Sequence, residues 1–199
     1  MTTNPGNLIR VAVAGGIGGL VNAALCYLQW PIPIPGIHTD FKWHVIPAGA
    51  VHGAVLALVS FAAAGWSRRM PRSLRWGLSL PVGWVAGYLS WIPLDMSAFS
   101  DRPGRALLWP LMNGDSYTMA LWTPAFLYFG GVAVLLYLWL CRPVSSPRAW
   151  PHILAASLAG IAGSLWWWIT FETWPLSPLH GAIWGCLVGL AIREKAANA

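Results

Sequence analysis

Charge is what this sequence has least of. Only 9% of its 199 residues are Asp, Glu, Lys or Arg, while 57% are hydrophobic. A typical soluble domain carries about 25% charged residues. So few charges do not cover the surface of a folded chain this size, which excludes a water-soluble enzyme, and the apolar content excludes an intrinsically disordered chain. Cysteine is confined to Cys26, Cys141 and Cys186. They fall in or at the end of different apolar stretches and read as small core residues, not a disulfide framework. Also missing are a Gly-rich phosphate loop, Cys-x-x-Cys, His-Glu-x-x-His and a His-x-Glu deaminase pattern. The chain is therefore expected not to be an enzyme. With no nucleotide site and no paired membrane carboxylates, it is not expected to be a primary pump either.

What is abundant is tryptophan, 15 residues of it, a side chain that belongs where one end of the ring is apolar and the other wet. Six apolar stretches are long enough to cross a hydrocarbon core as helices. They run roughly 8–29, 43–64, 74–91, 119–140, 152–171 and 176–192. The first reads as a mature helix, since no small-x-small cleavage site ends it. Orientation follows from the cations. With the N-terminus cytoplasmic, Arg10, Arg68, Arg69, Arg72, Arg75, Arg142, Arg148, Arg193 and Lys195 lie inside, and Lys42, Arg102 and Arg105 outside. Of the acids, only Glu194 lies inside; Asp40, Asp95, Asp101, Asp115 and Glu172 lie outside. The inner face then carries +8 and the outer −2, which recovers the chain's +6. This positive-inside bias predicts a multi-pass protein of a bacterial inner membrane with both termini cytoplasmic. The basic balance reflects anionic lipid; no clustered basic domain points to nucleic acid.

A repeat runs through the helices. Pro47-Ala-Gly-Ala-Val-His52-Gly53, Pro124-Ala-Phe-Leu-Tyr-Phe129-Gly130 and Pro175-Leu-Ser-Pro-Leu-His180-Gly181 share one pattern: proline, four residues, a ring, glycine. Each follows a tryptophan, at Trp43, Trp122 or Trp174. The preceding helices share small-residue motifs: Gly15-Gly-Ile-Gly-Gly19, Gly83-Trp-Val-Ala-Gly87 and Gly160-Ile-Ala-Gly163. Such glycines let helix backbones approach in lipid, where no hydrophobic force drives association. The expected fold is all-α: a single integral membrane domain, 1–199, of six transmembrane helices. They form three same-sense hairpins, roughly 8–64, 74–140 and 152–192, about a pseudo-threefold axis along the membrane normal. The middle hairpin departs from the others in carrying Phe129 for His and in a long outer loop, 92–118, that reads as a cap.

Few side chains in these spans carry chemistry. His52 and His180 sit at equivalent depth, roughly 7–8 Å below the outer helix starts, and Phe129 completes the ring. His44 shares a helix face with His52, Glu172 occupies the position equivalent to His44, and Asn22 is the one carboxamide well inside a span. Three functions compete. In the first, the ring lines a path for a small solute or ion near the outer face, gated by histidine protonation. In the second, His52 and His180 hold a b-type haem or a metal. In the third, the imidazoles bond neighbouring helices and the chain is a non-catalytic subunit of a larger membrane complex or a homo-oligomer. The first, a channel or transporter with a histidine-lined constriction, is the leading expectation; the scarcity of polar groups is what supports the third, because a hydrated solute needs more donors and acceptors. His180-Gly-Ala-Ile-Trp-Gly185 looks superficially like the histidine helix of rhomboid proteases, but no Gly-x-Ser nucleophile occurs in the fourth span. Six helices in three same-sense hairpins resemble the small proton-gated urea and amide channels. That likeness covers topology alone, and no motif residue carries across.

Overall fold

The computed structural model describes residues 5–28, 45–98, 130–142, 150–171 and 177–193; side chains at 45, 91–98, 164–171, 177–178 and 193 are not described. These residues are helical apart from short turns. The helices are α1 (Pro5–Tyr27), α2 (Val45–Ser67), α3 (Arg72–Gly77), α4 (Ser79–Ala98), α5 (Gly131–Leu140), α6 (Trp150–Phe171) and α7 (Ser177–Arg193). Two of them, Pro5–Tyr27 and Ile46–Ser67 within α2, are long and apolar enough to cross a membrane.

Proline sets the helix starts. Pro5, Pro47, Pro81, Pro151 and Pro178 all fall in the first three residues of α1, α2, α4, α6 and α7. A first-turn N–H has no partner within its helix, so its loss there is harmless. The sequence places Pro81 and Pro178 inside spans; the structure places both in first turns. The third apolar stretch begins later than 74 for the same reason. Pro81 has no N–H to give the carbonyl of Gly77, so the chain turns at Leu78 and the short α3 is set off from α4. At its other end α4 continues to Ala98, taking 92–98 of the expected loop into helix; the rest of that loop lies outside the described residues.

The helices meet in chain order. α1 packs on α2, α2 on α4, α4 on α5, α5 on α6, α6 on α7, and α7 returns to α1; α2 also meets α5. Pairs run antiparallel where glycines cross. A Cβ on Gly15 would meet the Gly53 carbonyl oxygen at 2.5 Å, and one on Gly19 would strike that of Gly49. In α6 and α7, Gly160 opposes Gly181, Gly185 opposes Ala156, and Gly189 opposes Ile153. Where α5 begins, its N-cap Gly130 opposes Gly83 of α4. Rising numbers on one helix meet falling numbers on the other. α2 and α5 instead run parallel: Ser60 faces Ala133, and Ser67 faces Tyr137 and Cys141.

Between the helices lies one apolar core, with Leu56, Phe61, Ala133, Leu136, Tyr137, Trp184 and Val188 all buried. The outward faces are apolar as well. Ile9, Val13, Ile17 and Leu20 form an exposed stripe on α1, Leu80, Val85 and Leu89 one on α4, and Leu154 and Leu158 one on α6. A helix hydrophobic all round belongs in a large core or in lipid, and these stripes meet no partner among the described residues.

Candidate functional site

The polar side chains gather at the seams where one helix pair meets the next. At the seam of α2 and α4, His52 Nδ1–H donates to the main-chain carbonyl of Ser90 at 3.2 Å. A carbonyl only accepts, so the bond puts the proton on Nδ1. The Ser90 hydroxyl turns back to the carbonyl of Gly87, 3.2 Å away.

At the seam of α7 and α1, His180 is buried, and its Nδ1 shares a hydrogen bond of 3.3 Å with Cys26 Sγ. The Cys26 thiol lies 3.6 Å from Asn22 Oδ1, one turn earlier on α1. The sulfur thus links a carboxamide and an imidazole in one chain of polar groups.

At the seam of α5 and α6, Trp139 Nε1–H donates to His152 Nδ1 at 3.3 Å, and the two rings meet edge to face with centroids 6.2 Å apart. Each of these three seams therefore holds a histidine.

Two further bonds cross the interior. Trp184 lies one turn after His180 on α7 and donates its Nε1–H to the carbonyl of Gly53 on α2 at 3.4 Å. It passes close to Gly18 of α1, where a Cβ would sit 2.8 Å from Trp184 Cα. Between α2 and α5, the Ser60 hydroxyl donates to Leu56 O at 2.7 Å and lies 3.2 Å from Ala133 O. The Tyr137 hydroxyl donates to the carbonyl of Arg75 at 2.9 Å, with Ser67 Oγ 3.1 Å away.

Of the residues singled out from sequence, Asn22 and His180 are brought together through Cys26, and His52 bonds a different helix. Phe129, His44 and Glu172 lie outside the described residues. Sequence reasoning passed over Cys26, Trp184 and His152. The first two had a signal: each stands one turn, on the same helix face, from a residue already chosen. His152 had none, because it stands outside the repeated pattern. No group of three or more His, Cys, Asp or Glu side chains that could hold a metal ion occurs among the described residues. Comparison with known proteins finds no matching family model, curated protein or solved structure.

Proposed function

We propose that this chain is a multi-pass inner-membrane protein, both termini cytoplasmic, that serves as a non-catalytic packing subunit of a larger membrane assembly. Its intramembrane histidines are ties between hairpins. The observation that carries this reading is where the imidazoles go. His52 and His180 each reach sideways to a neighbouring helix, and the space between helices is filled by Leu56, Ala133, Leu136, Tyr137 and Trp184. Polar side chains in lipid serve as interhelical bonds of this kind. The apolar outward stripes support the membrane setting.

Equivalent contacts support the threefold repeat. Gly53, Gly130 and Gly181, the glycines that follow the repeated ring, oppose Gly15, Gly83 and Gly160, the first glycines of the three small-residue motifs. Counted from those motifs, Asn22 and Ser90 are equivalent positions. His52 bonds Ser90, and His180 bonds Cys26, one turn beyond Asn22. The parallel run of α2 and α5 agrees with same-sense hairpins.

A second reading, a small-solute or ion path, is favoured by the Asn22–Cys26–His180 chain at the α7–α1 seam. The haem alternative has less support, because Trp184 bridges the helices of His180 and His52 through Gly53 and the interior between the helices is filled by apolar side chains. One experiment separates these readings. Wild type, His52→Ala and His180→Ala are reconstituted in proteoliposomes, and proton and small-solute flux is followed from pH 5 to 8. The packing reading expects flux equal to empty liposomes in all three, with lower thermal stability in both variants. Flux above that background, altered by either variant, overturns it in favour of a path. A Soret band in the purified protein overturns it in favour of haem.

A further inference from the structure

The inner ends of α2 and α5 carry a feature that hairpin packing leaves unexplained. Segments 65–78 and 141–151 hold six arginines, Arg68, Arg69, Arg72, Arg75, Arg142 and Arg148, with no lysine and no acid. Any anion for them comes from outside these segments. Arginine presents a planar fork that grips phosphate through two parallel N–H donors, which lysine does not.

Contacts of Ser67, Arg75 and Tyr137 bring the end of α2, the short α3 and the end of α5 to one corner, and with them the backbone positions of Arg68, Arg72, Arg75 and Arg142. The Tyr137 hydroxyl holds the carbonyl of Arg75 at 2.9 Å, which ties α3 to α5. Arg75 Nη1 donates to the carbonyl of Cys141 at 3.4 Å, next to Arg142. Ser67, one residue before Arg68, lies 3.8 Å from Cys141 Sγ. The Arg75 guanidinium is thus fixed in place, yet its Nε is buried with no acceptor among the described residues. A desolvated donor left unpaired is costly, and an oxyanion beside it removes that cost. Partial burial also pulls Arg68 below the ordinary arginine value. Tryptophans surround the group: Arg72 lies 6.0 Å from the Trp76 ring centroid and Arg142 5.6 Å from that of Trp139. Indole rings paired with cations are the furniture of the headgroup layer.

We infer that Arg68, Arg72, Arg75 and Arg142 form a binding site for the phosphate of an anionic phospholipid on the cytoplasmic leaflet. A lipid is favoured over free phosphate because Trp66 and Leu74, both exposed beside the cluster, offer apolar surface to acyl chains. The inference rests on the membrane reading above.

The test is thermal unfolding in neutral-detergent micelles titrated with phosphatidylglycerol, phosphatidylcholine or inorganic phosphate. Phosphatidylglycerol is expected to raise the midpoint saturably, and the other two to leave it unchanged. Arg142→Gln is expected to weaken half-saturation about fivefold, and Arg72→Gln with Arg142→Gln about 25-fold, since each cation near the surface contributes about 1 kcal/mol. Both side chains are exposed, so these variants fold even where Arg75→Gln does not. Arg10→Gln, another inner cation, is the control and is expected to change half-saturation less than twofold. An equal response to phosphatidylcholine, or an equal loss in Arg10→Gln, overturns the site. A full response to inorganic phosphate overturns the lipid in favour of a free anion. Alkaline carbonate washing of membranes tests the underlying reading separately: release of the protein rejects membrane insertion, whereas retention without lipid selectivity rejects this site alone.

Discussion

The interfaces inside the helix pairs and the seams between them are built on different physics. Inside α1–α2 and α6–α7, backbone lies on backbone. Gly19 faces Gly49, Gly15 faces Gly53, and Gly160 faces Gly181, with no room for a side chain between them. At the seams the helices are linked by long side chains, with His52 on Ser90, His180 on Cys26 and Trp139 on His152. In the membrane setting proposed above, lipid supplies no hydrophobic force to either interface. The pairs gain dispersion from close approach, and the seams gain single hydrogen bonds. The first kind tolerates no added atom; the second tolerates loss of a bond. That asymmetry orders the following expectations.

The largest effect is expected from filling a crossing. In Gly19→Leu the first side-chain carbon already strikes the Gly49 carbonyl, so the helices must separate along their length. Overpacking costs about 1–3 kcal/mol in a core that can shift, and a backbone wall shifts less, so loss of about 3 kcal/mol or more is expected in thermal or denaturant unfolding in detergent. Gly16→Ala is the matched control. Its Cβ meets Ala50 O at 3.5 Å and Ala54 Cβ at 3.6 Å, ordinary contact distances, and stability should hold within about 0.5 kcal/mol. Equal losses in the two would dissolve the distinction between crossing and surface.

Next comes Tyr137→Phe. The ring stays, but the part-buried carbonyl of Arg75 loses this donor, and the Ser67 hydroxyl keeps only its longer contacts to Ala64 O and Cys141 Sγ. An unsatisfied buried group costs about 1–3 kcal/mol. The midpoint should fall accordingly, and proteolysis should reach the α3 elbow sooner than in wild type.

His180→Phe removes one seam bond while keeping a ring of similar bulk. Interhelical hydrogen bonds within membranes contribute about 0.6 kcal/mol on average, so a loss near that size is expected. A double-mutant cycle with Cys26→Ala should return a coupling of the same order. A coupling near zero would mean that the contact ties nothing together.

The smallest effect, and one of opposite sign, is expected at Gly131, the first residue of α5. A Cβ there meets nothing within 4 Å, and alanine loses less backbone entropy than glycine on entering a helix. Gly131→Ala should stabilise by about 0.5 kcal/mol. A loss there would reveal a neighbour along α5 and narrow its contrast with Gly130, which lies against Gly83.

The all-helical character and the placement of several helices were legible in the chain, because apolar run length acts locally. The stretches at 8–29, 152–171 and 176–192 meet α1, α6 and α7 within a few residues. The third stretch was misplaced because composition does not register which carbonyl a proline deprives. The candidate site was legible in part. Asn22, His52 and His180 stood out as rare polar groups among apolar neighbours, but their partners did not. Ser90 offers His52 a main-chain carbonyl, which every residue carries, so nothing in its side chain marks it as a partner. Cys26 resembles any small core residue until α7 is laid against α1.

The sequence by itself determined that the chain is helical and that its polar groups are few. Periodicity, propensity and charge counting all act within one helix or along one chain. Only the tertiary structure decided which glycine meets which, that α2 runs beside α5, that Trp184 reaches Gly53, and that Arg75 reaches Cys141 with its Nε buried and without a partner among the described residues. These are contacts between residues tens to more than a hundred positions apart. Their energies depend on ångström-scale approach, which no local pattern encodes.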